Sequence, residues 1–138
     1  MARGPEVEGP LSGKRVLLVE DEDHLRTVVG MMVAELGAEV EAEVDGAQAV
    51  ESFARDPSRI DLVLLDLHLR GLPGVETLER LRAIDPSVRV VASSGIEPER
   101  SLIYSLESRG GGFIEKPFDL DRLEEVLTAV VSRGIRKP

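Results

Sequence analysis

Short apolar segments alternate with segments of helical periodicity about five times along the chain, and this alternation restricts the fold more than any other feature. The clearest apolar segment is residues 60–66 (IDLVLLD), where five of seven residues are apolar and mostly branched. This composition is typical of a strand covered on both faces. Strands and helices that alternate with short connections predict right-handed crossovers and a parallel sheet with helices on both faces. We therefore expect one α/β domain.

Four further strands and five helices are predicted from the same kinds of pattern. The strands are expected at residues 16–19, 39–44, 88–94 and 113–116. In residues 39–44, glutamate alternates with small apolar residues, which is typical of a half-exposed strand at the edge of a sheet. Apolar residues at helical spacing predict a helix after each strand, and Gly or Pro residues end several of these helices.

The two ends of the chain lack these patterns. Residues 1–13 contain several Gly and Pro residues and show no periodicity, which predicts a flexible N-terminal tail. Residues 133–138 are predicted to form a basic C-terminal tail, so the domain is expected to span residues 14–132. A domain of this length is large enough to bury one hydrophobic core.

Composition argues against several classes of protein. The formal net charge of -9 argues against direct nucleic-acid binding, which needs clustered Lys and Arg. The lack of cysteine excludes disulfides and thiolate sites and favours a reducing compartment. The sequence contains no secretory signal and no apolar run of bilayer-spanning length. We therefore expect a soluble, cytoplasmic protein without membrane insertion.

Reactive side chains stand at the carboxyl ends of four predicted strands. Glu20 and Asp21 follow the first strand, Asp66 ends the third, Ser94 the fourth and Lys116 the fifth. In an open parallel sheet, these ends share one edge, where ligands bind. Three carboxylates at one edge repel each other and need a cation, and hard oxygen donors suit Mg²⁺. A lysine and a hydroxyl opposite the ion can hold phosphate oxygens, which predicts phosphoryl transfer to Asp66 as an acyl phosphate.

Three segments together resemble the receiver domain of two-component response regulators, and the resemblance covers about residues 13–132. Residues 16–22 (VLLVEDE) resemble the first strand with its acidic pair, residues 64–67 (LLDL) the phosphoacceptor strand, and residues 113–118 (FIEKPF) the lysine-proline signature. The family has a flavodoxin-like, doubly wound five-stranded parallel sheet in the order 2-1-3-4-5. The resemblance therefore implies this α/β fold here.

The resemblance also assigns roles to the residues of the predicted site. It implies that Asp66 is the phosphorylation site, that Asp21 binds Mg²⁺ directly, and that Glu20 acts mainly through a metal-bound water. Asp66 itself and the backbone carbonyl of His68 are expected to complete the protein part of the metal shell. Lys116 is expected beside the acceptor, and its bond to the following proline is expected to be cis.

The switch residues of the family have counterparts as well. Ser94 stands where a hydroxyl binds the phosphoryl group, and Phe113 stands where an aromatic side chain changes rotamer. Two positions depart from common family patterns: Arg70 replaces a frequent proline, and Pro73 replaces a frequent acidic residue. His68 and Ile96, two residues after the acceptor and after Ser94 respectively, occupy positions that by resemblance influence hydrolysis of the acyl phosphate.

The expected partners also follow from the resemblance. The phosphoryl donor is expected to be a sensor histidine kinase or a phosphotransfer protein, and a downstream protein is expected to bind the face made by the fourth helix, fifth strand and fifth helix. Leu102, Tyr104 and Leu106 on that helix leave homodimer formation open. The chain is expected to be a signalling phosphoacceptor, assisting its own phosphorylation and dephosphorylation, rather than a conventional enzyme.

Other interpretations remain open at this point. The chain is either a free-standing receiver or a receiver excised from a hybrid histidine kinase, which residues 112–118 also resemble. A phosphorylation-independent binding module is a further alternative, although the acidic pair, Asp66 and Lys116 are all present. An aspartyl-phosphate phosphatase commonly has a second acid two residues after the nucleophile, where this chain has His68.

Overall fold

The computed structural model describes residues 8–133, which contain one sheet of five parallel strands. The strands are β1 (Arg15–Val19), β2 (Glu39–Glu43), β3 (Leu62–Asp66), β4 (Val90–Ser94) and β5 (Gly112–Glu115). Their order is β2-β1-β3-β4-β5, and every neighbouring pair is parallel. This arrangement confirms the predicted doubly wound α/β fold. β3 and β4 each begin two residues later than predicted, and β5 ends one residue earlier.

Five helices connect or follow the strands. They are α1 (Asp23–Glu35), α2 (Gly46–Arg55), α3 (Gly74–Ile84), α4 (Arg100–Ser108) and α5 (Leu120–Val131). Side-chain caps explain where three of them begin, because Glu22, Asp45 and Asp119 each accept a hydrogen bond from a backbone N–H in the first turn. A short 3-10 helix at Pro57–Arg59 was not predicted. Among residues 8–133, no helix is both long and apolar enough to span a bilayer.

The sheet separates two hydrophobic layers. Leu18 of β1 and Leu64 of β3 face the layer beneath α1 and α5, whereas Leu17 and Leu65 face the layer beneath α2, α3 and α4. Because β1 and β3 are covered on both faces, their sequences are almost continuously apolar. This double coverage fixes the central strands, whose carboxyl ends carry the predicted site.

Residues on both sides of the regular elements contact the rest of the fold. Leu11 is completely buried, and its backbone N–H donates to the carbonyl of Leu36 at 2.8 Å. The guanidinium of Arg133 donates to the carbonyl of Gly111 at 2.7 Å. These contacts tie Leu11 and Arg133 to the fold, and the domain boundaries at residues 14 and 132 stay a prediction. The rest of the predicted tails, residues 1–7 and 134–138, lies outside the described residues.

Candidate functional site

Three carboxylates converge at the carboxyl edge of the sheet. Glu20 and Asp21 directly follow β1, and Asp66 is the last residue of its neighbour β3. One carboxylate oxygen from each residue lies within 4.8 Å of the others, and we call these three residues the acidic cluster. Glu20 and Asp66 are 3% and 4% exposed, so their charges are largely removed from solvent. The parallel pairing of β1 with β3 thus places the predicted metal ligands together.

Lys116 supplies a positive charge to the acidic cluster. It follows β5, and its backbone N–H donates to the carbonyl of Ser94 at 2.8 Å, which holds it beside β4. Its Nζ lies 3.0 Å from Glu20 Oε1 and 3.2 Å from Asp66 Oδ2. The peptide bond to Pro117 is cis, as the resemblance implied. Lys116 therefore bridges the predicted acceptor and one of the predicted metal ligands.

Burial and the neighbouring charges act in opposite directions on the ionisable groups at this edge. Burial raises the pKa of Glu20, the hydrogen bond from Lys116 opposes the increase, and the charge of Asp66 adds to it. Burial alone lowers the pKa of Lys116, but its contacts with Glu20 and Asp66 raise that pKa overall. Glu20 is thus harder to ionise than a free glutamate, and Lys116 holds its proton more firmly than a free lysine.

Arg70 contacts the third member of the acidic cluster. Its backbone N–H and its Nε both donate to Asp21 Oδ2, at 2.8 and 3.1 Å. Partial burial raises the pKa of Asp21, but the hydrogen bonds and charge of Arg70 outweigh burial and lower it overall. Arg70 had been identified only as a departure from family patterns. Its contact with Asp21 depends on the path of the loop after β3, which no sequence pattern specified.

Ser94 ends β4 beside the acidic cluster and is only 1% exposed. Its Oγ donates to the carbonyl of Ile96 at 2.7 Å, accepts from the Ile96 N–H at 3.0 Å, and lies 2.9 Å from His68 Nε2. The Ser94 hydroxyl thus contacts both the backbone of Ile96 and the ring of His68. This ring contact was also missed by sequence reasoning.

His68 has a second contact, with the predicted acceptor itself. Its backbone N–H donates to Asp66 Oδ1 at 2.9 Å. The backbone of His68 therefore lies beside Asp66, where its carbonyl was predicted to contribute to the metal shell. Since Lys116 lies against Oδ2, the two oxygens of Asp66 have different neighbours.

Phe113 lies on β5 opposite Ala92 of β4. Its partly buried ring packs against the hydrophobic layer beneath α2, α3 and α4. Phe113 thus lies two strands away from Asp66, with β4 between them. Its predicted change of rotamer stays a prediction.

The donor atoms at this edge fit a magnesium ion. Mg²⁺ prefers hard oxygen ligands and retains several waters, so it needs only one or two carboxylates from a protein. The acidic cluster offers three carboxylates within 4.8 Å of one another, one of them partly exposed. Their mutual repulsion, which Lys116 offsets only in part, favours a divalent cation at this position.

The chain is similar to several known proteins. A family profile for the response regulator receiver domain matches residues 16–128. The chemotaxis protein CheY of Thermotoga maritima is 29% identical over 119 residues, covering 86% of this chain and 98% of that protein. The transcriptional regulatory protein TcrA of Mycobacterium tuberculosis is 35% identical over 135 residues, covering 96% of this chain and 52% of that protein.

A solved structure agrees with these sequence matches. The receiver domain of the hybrid histidine kinase CckA has a TM-score of 0.72 and 29% identity, covering 86% of this chain and 99% of that one. The family profile spans most of the chain, and the strand order and the acidic edge are those that the resemblance implied. The chain therefore belongs to the response regulator receiver domain family of two-component signalling.

Proposed function

We propose that this chain is a phosphoacceptor switch in which Asp66 takes a phosphoryl group from the phosphohistidine of a sensor histidine kinase or phosphotransfer protein. The observation that carries the proposal is the position of Lys116 Nζ, 3.2 Å from Asp66 Oδ2 and 3.0 Å from Glu20 Oε1. A cation held beside the acceptor oxygen can stabilise the charge on a transferred phosphoryl group. The acidic cluster around it provides the ligands for Mg²⁺.

The reaction transfers one group and balances without a further reactant. A carboxylate oxygen of Asp66 attacks phosphorus while the P–N bond to the donor histidine breaks, and the electron pair of that bond returns to the imidazole. The product is an acyl phosphate on Asp66. Mg²⁺, when bound, neutralises charge on the phosphate oxygens. Asp21 would hold the ion directly and Glu20 mainly through a bound water, and Asp66 and the His68 carbonyl would complete the protein ligands. Lys116 orients the acceptor and binds a phosphoryl oxygen.

The proposed switch begins at Ser94. To bind the phosphoryl group, Ser94 Oγ exchanges its present contacts with His68 and Ile96 for a phosphoryl oxygen. We propose that Phe113 then changes rotamer and alters the face formed by α4, β5 and α5. Tyr104 on α4 is 73% exposed, so this face offers an aromatic side chain to a downstream protein or to a second copy of the chain.

The proposal is tested by replacing the acceptor. Asp66→Asn keeps the size of the side chain and removes its nucleophilic carboxylate. We expect this variant to acquire no acid-labile phosphate during incubation with a phosphodonor. We also expect it to show no Mg²⁺-dependent binding of beryllofluoride, an analogue of the phosphoryl group. Binding is measured by fluorine NMR and phosphate by radiolabelling.

Asp23→Asn is the matched control, because Asp23 lies near the acidic cluster but has a 90% exposed side chain that pairs with Arg26 instead. We expect this control to bind beryllofluoride and to accept phosphate like the unaltered protein. Full retention of both properties by Asp66→Asn contradicts the proposed function.

A further inference from the structure

Arg70 is a cation at the acidic edge that the proposed reaction does not use. It lies in the loop between β3 and α3, and its Nε is 3.1 Å from Asp21 Oδ2. A terminal guanidinium nitrogen lies 3.4 Å from the backbone carbonyl of Asp21. The Arg70 side chain is 82% exposed, whereas that of Asp21 is 15% exposed. An exposed cation thus pairs with the carboxylate that is expected to bind Mg²⁺ directly.

We infer that the Arg70 guanidinium takes the place of a metal ion at Asp21 and competes with Mg²⁺ for that carboxylate. This inference rests on the proposed function, because it takes Asp21 to be a metal ligand. Arg70 then acts as a regulator of magnesium affinity that is built into the loop after the acceptor strand. It sets the Mg²⁺ concentration at which the site becomes competent for phosphoryl transfer.

The competition follows from the charges and distances at the site. A cation bound by the acidic cluster lies within a few ångströms of Asp21 and therefore close to the guanidinium on Oδ2. Like charges at such short range repel appreciably even at high dielectric, and the double charge of Mg²⁺ increases the repulsion. The Arg70 side chain is 82% exposed, so its guanidinium can return to water at small cost when it leaves Asp21.

The side chain of Arg70 is not needed to orient Asp21. The backbone N–H of residue 70 donates to Asp21 Oδ2 at 2.8 Å, and this hydrogen bond is independent of the side chain. Substitution of Arg70 therefore removes a positive charge while one anchor of the carboxylate stays in place. A role in orientation predicts weaker Mg²⁺ binding after substitution, whereas competition predicts tighter binding.

Competition also works in the reverse direction. Coupling between two binding equilibria is reciprocal. The factor by which the Arg70 contact weakens Mg²⁺ binding therefore equals the factor by which bound Mg²⁺ weakens the Arg70 contact. Binding of the ion is therefore expected to release the guanidinium from Asp21. This release leaves the loop between β3 and α3 attached to Asp21 only through its backbone.

The test is a calorimetric titration of the unphosphorylated protein with MgCl₂. For Arg70→Gln we expect the Mg²⁺ dissociation constant to fall about three- to tenfold. The ratio between the constants of the unaltered protein and the variant should shrink as ionic strength rises. Arg70→Lys retains the charge and should stay within about twofold of the unaltered protein. Arg122→Gln removes the same charge from an exposed pair with Glu125 on α5, and should leave the constant unchanged.

A second measurement follows the Arg70 side chain directly. In ¹⁵N NMR spectra, the Arg70 Nε–H signal is expected to exchange faster with solvent as Mg²⁺ is added. An unchanged or weaker Mg²⁺ affinity in Arg70→Gln overturns the inference and leaves the proposed function standing. Failure of both the unaltered protein and Arg70→Gln to bind Mg²⁺ overturns the proposed function, and the inference with it.

Discussion

At the scale of single residues, Asp66 is oriented from two sides. Its Oδ1 accepts from the backbone of His68, and its Oδ2 lies against Lys116, which follows a different strand. A side chain held in this way has little conformational freedom left to lose when it reacts, and such positioning lowers the barrier of a transfer reaction. The sheet edge therefore contributes order as well as charge to the proposed acceptor.

Glu41 and Glu43 show how surroundings decide the effect of a charge. Both lie on β2, two residues apart and thus on one face of the sheet. Hydrogen bonds from Arg59 lower the pKa of Glu41, while burial and the charge of Glu41 raise the pKa of Glu43. Ionised Glu41 is therefore expected to stabilise the fold, and ionised Glu43 to destabilise it.

We predict that Glu41→Gln lowers the free energy of unfolding by about 1 kcal/mol at pH 7, because it weakens charge-assisted hydrogen bonds with Arg59. A carboxyl group whose folded pKa is lowered contributes stability above its unfolded pKa of 4.5, and this stability disappears as pH falls through the folded value. The stability difference between Glu41→Gln and the unaltered protein should therefore become smaller at acidic pH. Urea unfolding from pH 7 to pH 3 measures this dependence.

Glu43→Gln is the matched comparison and should raise the free energy of unfolding at pH 7, whereas Glu41→Gln lowers it. The raised pKa of Glu43 means that its contribution to stability declines as pH rises through the folded value, so the neutral amide is favoured at pH 7. Equal effects of the two substitutions, or a Glu41→Gln effect that does not change with pH, contradict this account.

At the scale of elements, α3 begins in direct contact with the end of β3 and the residue after it. A Cβ atom on Gly74, the first residue of α3, would lie 2.5 Å from Leu67 Cα and 2.8 Å from the carbonyl oxygen of Asp66. Both are backbone atoms that no side-chain rotation can move. We predict that Gly74→Ala lowers the free energy of unfolding by about 1–3 kcal/mol, because the helix or the loop must shift. Thermal unfolding measures the loss.

Gly30, within α1, is the matched control. A Cβ there would meet only the Leu18 side chain, at 3.8 Å, which is an ordinary contact. Since Gly is a poor helix former, Gly30→Ala is expected to raise the free energy of unfolding by about 0.5–1 kcal/mol. A stability loss at Gly30 comparable to that at Gly74 would show that close backbone approach is not the cause.

The elements were predictable from sequence to the extent that burial determines them. β3 is covered on both faces, so its apolar run and the position of Asp66 at its end followed directly from composition. The contacts of Arg70 with Asp21 and of His68 with Ser94 were not predictable, because each depends on the path of the loop after β3. Loop geometry has no periodic pattern that a sequence could reveal.

At the scale of the whole molecule, the sheet divides the interior into two hydrophobic layers, and each must be shielded from water on all sides. The layer beneath α1 and α5 includes a residue from outside the regular elements, Leu11, which precedes β1. Its backbone is tied to Leu36 at the end of α1. The segment before β1 thus packs against this layer, and we propose that the folding unit includes it.

We predict that Leu11→Ala lowers the free energy of unfolding by about 3 kcal/mol, because it leaves a cavity in a fully buried position. Ser12→Ala, at an exposed neighbouring position, should cost much less, because it removes only a hydrogen bond with Gly9. Urea unfolding followed by far-UV circular dichroism measures both variants. Equal stability of Leu11→Ala and the unaltered protein would place the start of the folding unit at residue 14, as the sequence pattern alone had indicated. A loss of the expected size would instead show that the folding unit includes Leu11.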